Sequence, residues 1–150
     1  MTPPLLQDAE TPRSVALNPL GRDGDALVLR VDAVDGAHRW TLAGPLLSVD
    51  EANDLGAWLA GLPGDLTLGA DEWTSLTFRS PALSLAGRRA PGGEVELRVS
   101  VLGMSRVDDS PPPPGQSPRT TDVVLGVRLA APAVEEAAVA FVEAISSAAE

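Results

Sequence analysis

A chain of 150 residues with 44% hydrophobic and 21% charged residues has the size and composition of one ordinary folded domain, and neither global disorder nor a large multidomain enzyme fits it. Its formal net charge of -10 argues against sequence-independent binding to nucleic acid or to an anionic membrane, which needs clustered positive charge. The absence of cysteine removes disulfides and thiolate chemistry, and the absence of lysine removes Walker-type phosphate loops and Schiff bases.

Residues 1–13, acidic and proline-bearing, are expected to form a flexible arm, with one α+β domain over 14–150. The opening MTPPLLQDAETPRS lacks a basic n-region and a long apolar run, and no stretch reaches the ~18 apolar residues of a membrane span; the expected location is cytoplasmic. Residues 26–34, ALVLRVDAV, alternate apolar and mixed positions with period two and predict a strand. Asp35-Gly36 is a hairpin signal, and AHRWTLA over 37–43 is the expected return strand. Pairing Val34 with Ala37 would put Val31 opposite Trp40, Leu29 opposite Leu42, and Asp32 opposite Arg39 on the other face.

Ser48-Val49-Asp50-Glu51 reads as a capping box opening a helix to about Leu62, where Pro63-Gly64 stops it. Ala52, Leu55, Leu59 and Leu62, with Trp58 beside them, form its apolar stripe, while Asp50, Asn53 and Asp54 face solvent. Alternation resumes over 73–79 and 82–86 around Pro81, which suggests a kink or an edge position, then over 94–103 and 121–130. Between the last two, residues 104–120 contain four consecutive prolines and predict a long mobile or polyproline-like loop. Pro132 starts a final helix over 132–148, with Val134, Ala138, Phe141, Val142 and Ile145 as its stripe. The predicted fold is α+β: an antiparallel sheet of about six strands with two amphipathic helices packed on one face.

Few residues suggest chemistry. His38, the single histidine, lacks a convergent nucleophile or carboxylate in the sequence pattern and reads as a partly buried sheet residue. Asp23-Gly24-Asp25 resembles a fragment of a calcium loop without the remaining oxygen ligands, and reads better as a polar turn. Glu94 and Glu96 share a strand face, as a solvated pair would, and Trp40 and Trp58 fall within apolar stripes. No catalytic residue, metal site or cofactor is expected. Charge is uneven: residues 1–72 carry twelve acids and four arginines, and residues 73–150 nine acids and seven arginines. Besides keeping the protein soluble, such an acidic half could attract a basic partner.

The strand bearing Trp40, the segment PLLSVDEANDLGAWLAGL, the segment LTFRSPALSL with Phe78 and Pro81, two long strands split by a proline-bearing loop and a terminal amphipathic helix together resemble the WapI-type family of bacterial immunity proteins. Ser80 departs from the acid expected before Pro81. The resemblance spans most of residues 26–146 and implies a non-enzymatic protein that binds and neutralises a toxin encoded nearby, in some cases a basic nuclease. With the acidic first half, it places the partner-binding residues at Asp23, Asp25, Asp32, Asp50 and Asp54. The alternative is a general interaction or scaffold domain, for example a subunit of a phage-like or secretion assembly.

Overall fold

A computed structural model of the protein describes residues 4–64, 72–107, 113–116 and 119–148. Among these, strands β1 (Leu5–Gln7), β2 (Arg13–Asp23), β3 (Ala26–Asp35) and β4 (His38–Ser48) lead into helix α1 (Val49–Gly61) and a single 3-10 turn at Leu62–Gly64. Then come β5 (Thr74–Thr77), β6 (Leu83–Ala90), β7 (Glu94–Arg106), β8 (Thr121–Ala130) and helix α2 (Ala131–Ala148). All pairings are antiparallel, in the order β1-β2-β3-β4-β7-β6-β5, with β8 also on β7. The fold is therefore α+β as expected, with eight described strands where about six were predicted.

The two added strands are β1 and β2, over residues for which no strand was predicted. Val15 and Leu17 fall on one buried face, but Ala16 blurs the alternation and Asn18-Pro19 interrupts it; in the structure Pro19 sits opposite Leu29 just before a bulge. Leu6 of β1 is buried in the core cluster, so residues 4–13 enter the fold. Asp8 then bridges β1 to β8. Its Oδ1 accepts the Arg128 N–H, its Oδ2 accepts the N–H groups of Glu10 (3.1 Å) and Thr11 (2.8 Å) and the Thr11 hydroxyl (2.7 Å), and the Ala9 N–H donates to the Arg128 carbonyl at 2.9 Å. The sheet curls so that its first strand meets its last.

Strand β7 makes that curl possible. Residues 94–101 pair with both β6 and β8, and after a bulge at Leu102-Gly103 residues 105–106 pair with β4. Gly103 has φ +72, a conformation that glycine adopts without the Cβ clash other residues suffer. The strand persists to Arg106 with Met104 fully buried, so the expected 104–120 loop starts later; 108–112 and 117–118 lie outside the described residues. Pro81 lies in the turn between β5 and β6 and does not kink a strand.

The β3–β4 hairpin forms with a shifted register. Asp35 pairs with His38, Val31 with Leu42 and Leu29 with Gly44, leaving Gly36-Ala37 as the turn. Gly36 has φ +62 and satisfies the first central position of a primed turn, so Asp35 remains in the strand. Because the shift preserves the alternation, Trp40 and Leu42 stay on the same face as Val31 and Ala33.

The inner face of the sheet and the stripes of α1 and α2 share one cluster, except that Val142, expected in the α2 stripe, is exposed. Val31, Leu55, Leu59, Leu97, Val99, Leu125 and Phe141 are buried, and Trp40 is half-buried against the cluster. Two glycines set the approach of the helices. A Cβ on Gly56 would stand 2.8 Å from Val142 Cγ2, so α1 and α2 touch where α1 has no side chain. A Cβ on Gly87 would stand 2.6 Å from Leu62 Cδ2, 3.1 Å from Leu97 Cδ2 and 3.2 Å from Trp58 Cη2. Gly87→Val should therefore destabilise by roughly 1–3 kcal/mol through overpacking, read as a lower denaturant midpoint at an unchanged m-value.

Candidate functional site: an acidic pole at the entry to helix α1

Four of the five expected partner-binding acids lie on the β2–β3 turn and the start of α1. Gly24, at φ +61, lets β2 reverse into β3 immediately after Asp23, and Asp23 pairs with Ala26. Ala26 in turn pairs with Ser48, the N-cap of α1, and the Val49 N–H donates to the Asp25 carbonyl at 3.0 Å. The turn is thus pinned against the helix entry, and Asp25, Asp50 and Glu51 line a shallow cleft together with Arg22 and Arg79. Asp54 follows Asp50 by one helical turn; Asp23, Asp25, Asp50 and Asp54 are all exposed.

The capping box holds this pole in shape. The Glu51 N–H donates to Ser48 Oγ at 3.0 Å, and the Ser48 N–H donates to Glu51 Oε1 at 2.9 Å. Glu51 Oε2 also accepts the Arg79 N–H at 2.8 Å, which ties the β5–β6 turn to the helix. Burial would raise the Glu51 pKa, but the N–H groups of Ser48 and Arg79 outweigh it and hold the carboxyl below its usual range. Glu51 is thereby committed to the scaffold, whereas Asp50 and Asp54 beside it carry no such bonds among the described contacts.

Asp32 stands apart. It lies seven residues along β3 from Asp25, roughly 20 Å at strand rise, on the outer face of the sheet. Its Oδ1 accepts the Thr41 hydroxyl at 2.8 Å, and its Oδ2 accepts Asn18 Nδ2 at 3.2 Å and Arg30 Nε at 3.0 Å. The expected pairing with Arg39 does not form, since the shifted register puts Thr41 opposite Asp32. The structure therefore gathers Asp23, Asp25, Asp50 and Asp54 and leaves Asp32 in a cross-strand network of its own.

The other candidate residues also have defined places. His38 is exposed, not partly buried as expected, because the register shift leaves it at the turn end of β4. It stacks on Trp40 with centroids 5.9 Å apart, and its Nδ1 lies 2.8 Å from Arg106 Nη2. Asp23-Gly24-Asp25 is a hairpin turn, and no group of three or more metal-ligating side chains converges among the described residues.

An arrangement on the outer face of β6–β8 was not foreseen. The guanidiniums of Arg88 and Arg98 both lie over the Trp73 ring, at 4.8 and 4.7 Å from its centroid. In the same cross-strand row, Glu96 accepts Arg88 Nε at 2.9 Å and Arg88 Nη2 at 2.7 Å, with Arg128 Nη2 at 3.4 Å. The Arg88 hydrogen bonds, opposed by partial burial and aided by the charges of Arg88 and Arg128, hold the Glu96 pKa below its usual range. Period-two spacing does place Arg88, Glu96, Arg98 and Arg128 on one face, but their matching across strands needed the register.

A curled antiparallel sheet carrying a helix pair, with an acidic pole at the helix entry, defines an α+β protein with a charged patch at that end. The chain belongs to the immunity protein WapI-like family, whose family model matches residues 6–145. No curated protein and no solved structure matches it. No helix among the described residues is long and apolar enough to cross a membrane.

Proposed function

We propose that this protein neutralises a cognate bacterial toxin by binding it directly in the cytoplasm, without a catalytic step or a cofactor of its own. Membership of the WapI-like immunity family carries this reading, and the acidic pole supplies its physical means. The proposed contact residues are Asp23, Asp25, Asp50 and Asp54, while Asp32, paired with Arg30 on the outer sheet face, would act at most at the edge of that field. A nuclease toxin has a basic substrate groove, and an acidic protein occupies such a groove in place of nucleic-acid phosphates.

The test is binding to, and growth rescue from, the toxin encoded beside this gene. Exposed charges act mainly on encounter, so Asp50→Arg with Asp54→Arg should slow association on the order of tenfold at low salt and flatten its salt dependence. Thermal stability should remain close to that of the parent, because both side chains are exposed. Rescue unchanged when all five acids are reversed in a folded protein would sink the electrostatic mechanism.

A further inference from the structure

The two helices differ from the rest of the molecule in charge. Helix α1 carries Asp50, Glu51 and Asp54, helix α2 carries Glu135, Glu136 and Glu143, and neither contains a basic residue. All eleven arginines of the chain lie outside them.

The same helix pair exposes apolar surface at its seam. Val139 and Val142 of α2 are 59% and 43% exposed although they flank the buried Phe141. Val142 reaches over Gly56 of α1, and Gly56 itself is buried beneath it. Among the helical neighbours of Gly56, Ala52 and Leu59 are buried, while Asn53 and Ala60 are exposed and therefore lie on the solvent side of the seam. Ala57 is exposed as well, so α1 presents only the short side chains of Asn53, Ala57 and Ala60 on the solvent side of the place where Val142 crosses it. The acids follow at one-turn spacing: Asp50 from Asn53, Asp54 from Ala57, and Glu135 and Glu143 on either side of Val139.

An apolar centre inside a charged rim is the anatomy of a protein–protein contact. A second copy of this chain does not suit it, because two all-acidic helix pairs would repel. Nucleic acid and anionic lipid are excluded by the same sign of charge. We infer that the outer face of the α1–α2 pair docks a basic protein surface that presents an apolar side chain to the Val139–Val142 seam. This rests on the toxin-neutralising reading and deepens it: the helix pair provides the close contact, and the turn at Asp23 and Asp25 extends the field beside it.

The probe is the purified toxin domain encoded beside this gene, with its affinity for the full chain measured for the parent, Val139→Arg, Ala60→Arg and, on the outer sheet face, Val124→Arg, which replaces a residue 60% exposed. Thermal melts confirm that each variant is folded. The expected result is at least a tenfold loss of affinity for both helix variants and less than a twofold change for Val124→Arg. If the parent binds and either helix variant binds within twofold of it, or if Val124→Arg alone loses affinity, the helix face is not the interface while the immunity reading stands. If the parent itself fails to bind, the immunity reading falls and this inference falls with it.

Discussion

Phe141→Ala should lower the free energy of unfolding by roughly 3–5 kcal/mol, read from denaturant titration as a lower midpoint. Phe141 is fully buried and is the largest side chain in the core cluster, with one ring edge facing Gly56 of α1. Its removal forfeits the transfer energy of the ring and leaves a cavity between two helices and the sheet. The neighbours cannot easily close that cavity, since Gly56 has no side chain to swing inward and the sheet strands are fixed by their ladders. Leu59→Ala, from the opposite helix, should cost roughly 2–5 kcal/mol for the same reason. If both variants unfold at the parent midpoint, the helices do not hold the core.

The second large effect concerns acid. Burial would raise the Asp8 pKa, but the Arg128 N–H, then the Thr11 hydroxyl and the N–H groups of Thr11 and Glu10, outweigh it and hold the carboxyl at about 2. In the unfolded chain the group returns to its ordinary value near 3.8, so the unfolded state binds the proton first as pH falls. The contribution is therefore full above about pH 5 and lost as pH drops through 3.8 towards 2, and it is worth on the order of 2 kcal/mol. Glu51 and Glu96, both held below their usual range, act with the same sign. Asp8→Asn should flatten the acid side of the stability profile and also lower stability at neutral pH by roughly 1–3 kcal/mol. Donors reach both oxygens of Asp8, and an amide has only one oxygen to offer; its NH2 must face a donor. A variant with the parent profile from pH 2 to 7 would remove Asp8 from this role.

The contrast between Phe141 and Asp8 explains what the sequence could disclose. Helix periodicity, a proline at the start and a capping box are local, and they located α1, α2 and the stripe bearing Phe141 to within a residue or two. Strand β8 was likewise bounded by its own alternation at 121–130. Asp8 had no local sign, because its decisive partner is the backbone of Arg128, far along the chain. Strand β2 was hidden by Asn18-Pro19, and the hairpin register turned on which residue beside Gly36 would enter the turn. The acidic pole was legible in part: composition marked the first half as acidic, and the capping box exposed Asp50 and Asp54. That Asp25 would sit beside Asp50 while Asp32 would not followed only from the pairing of Ala26 with Ser48.

The Asp8 bridge also bears on solubility. A last strand with unpaired N–H and C=O groups is a template for another chain, and proteins protect such edges to avoid aggregation. Here the outward N–H and C=O of Arg128 are taken by Asp8 and Ala9, so the turn that follows β1 covers the β8 edge at that residue. Removing the segment through Thr11, or prying it loose with a bulky fusion, would leave the β8 edge open at Arg128. Because Leu6 would leave the core with that segment, its loss would expose backbone and apolar surface together.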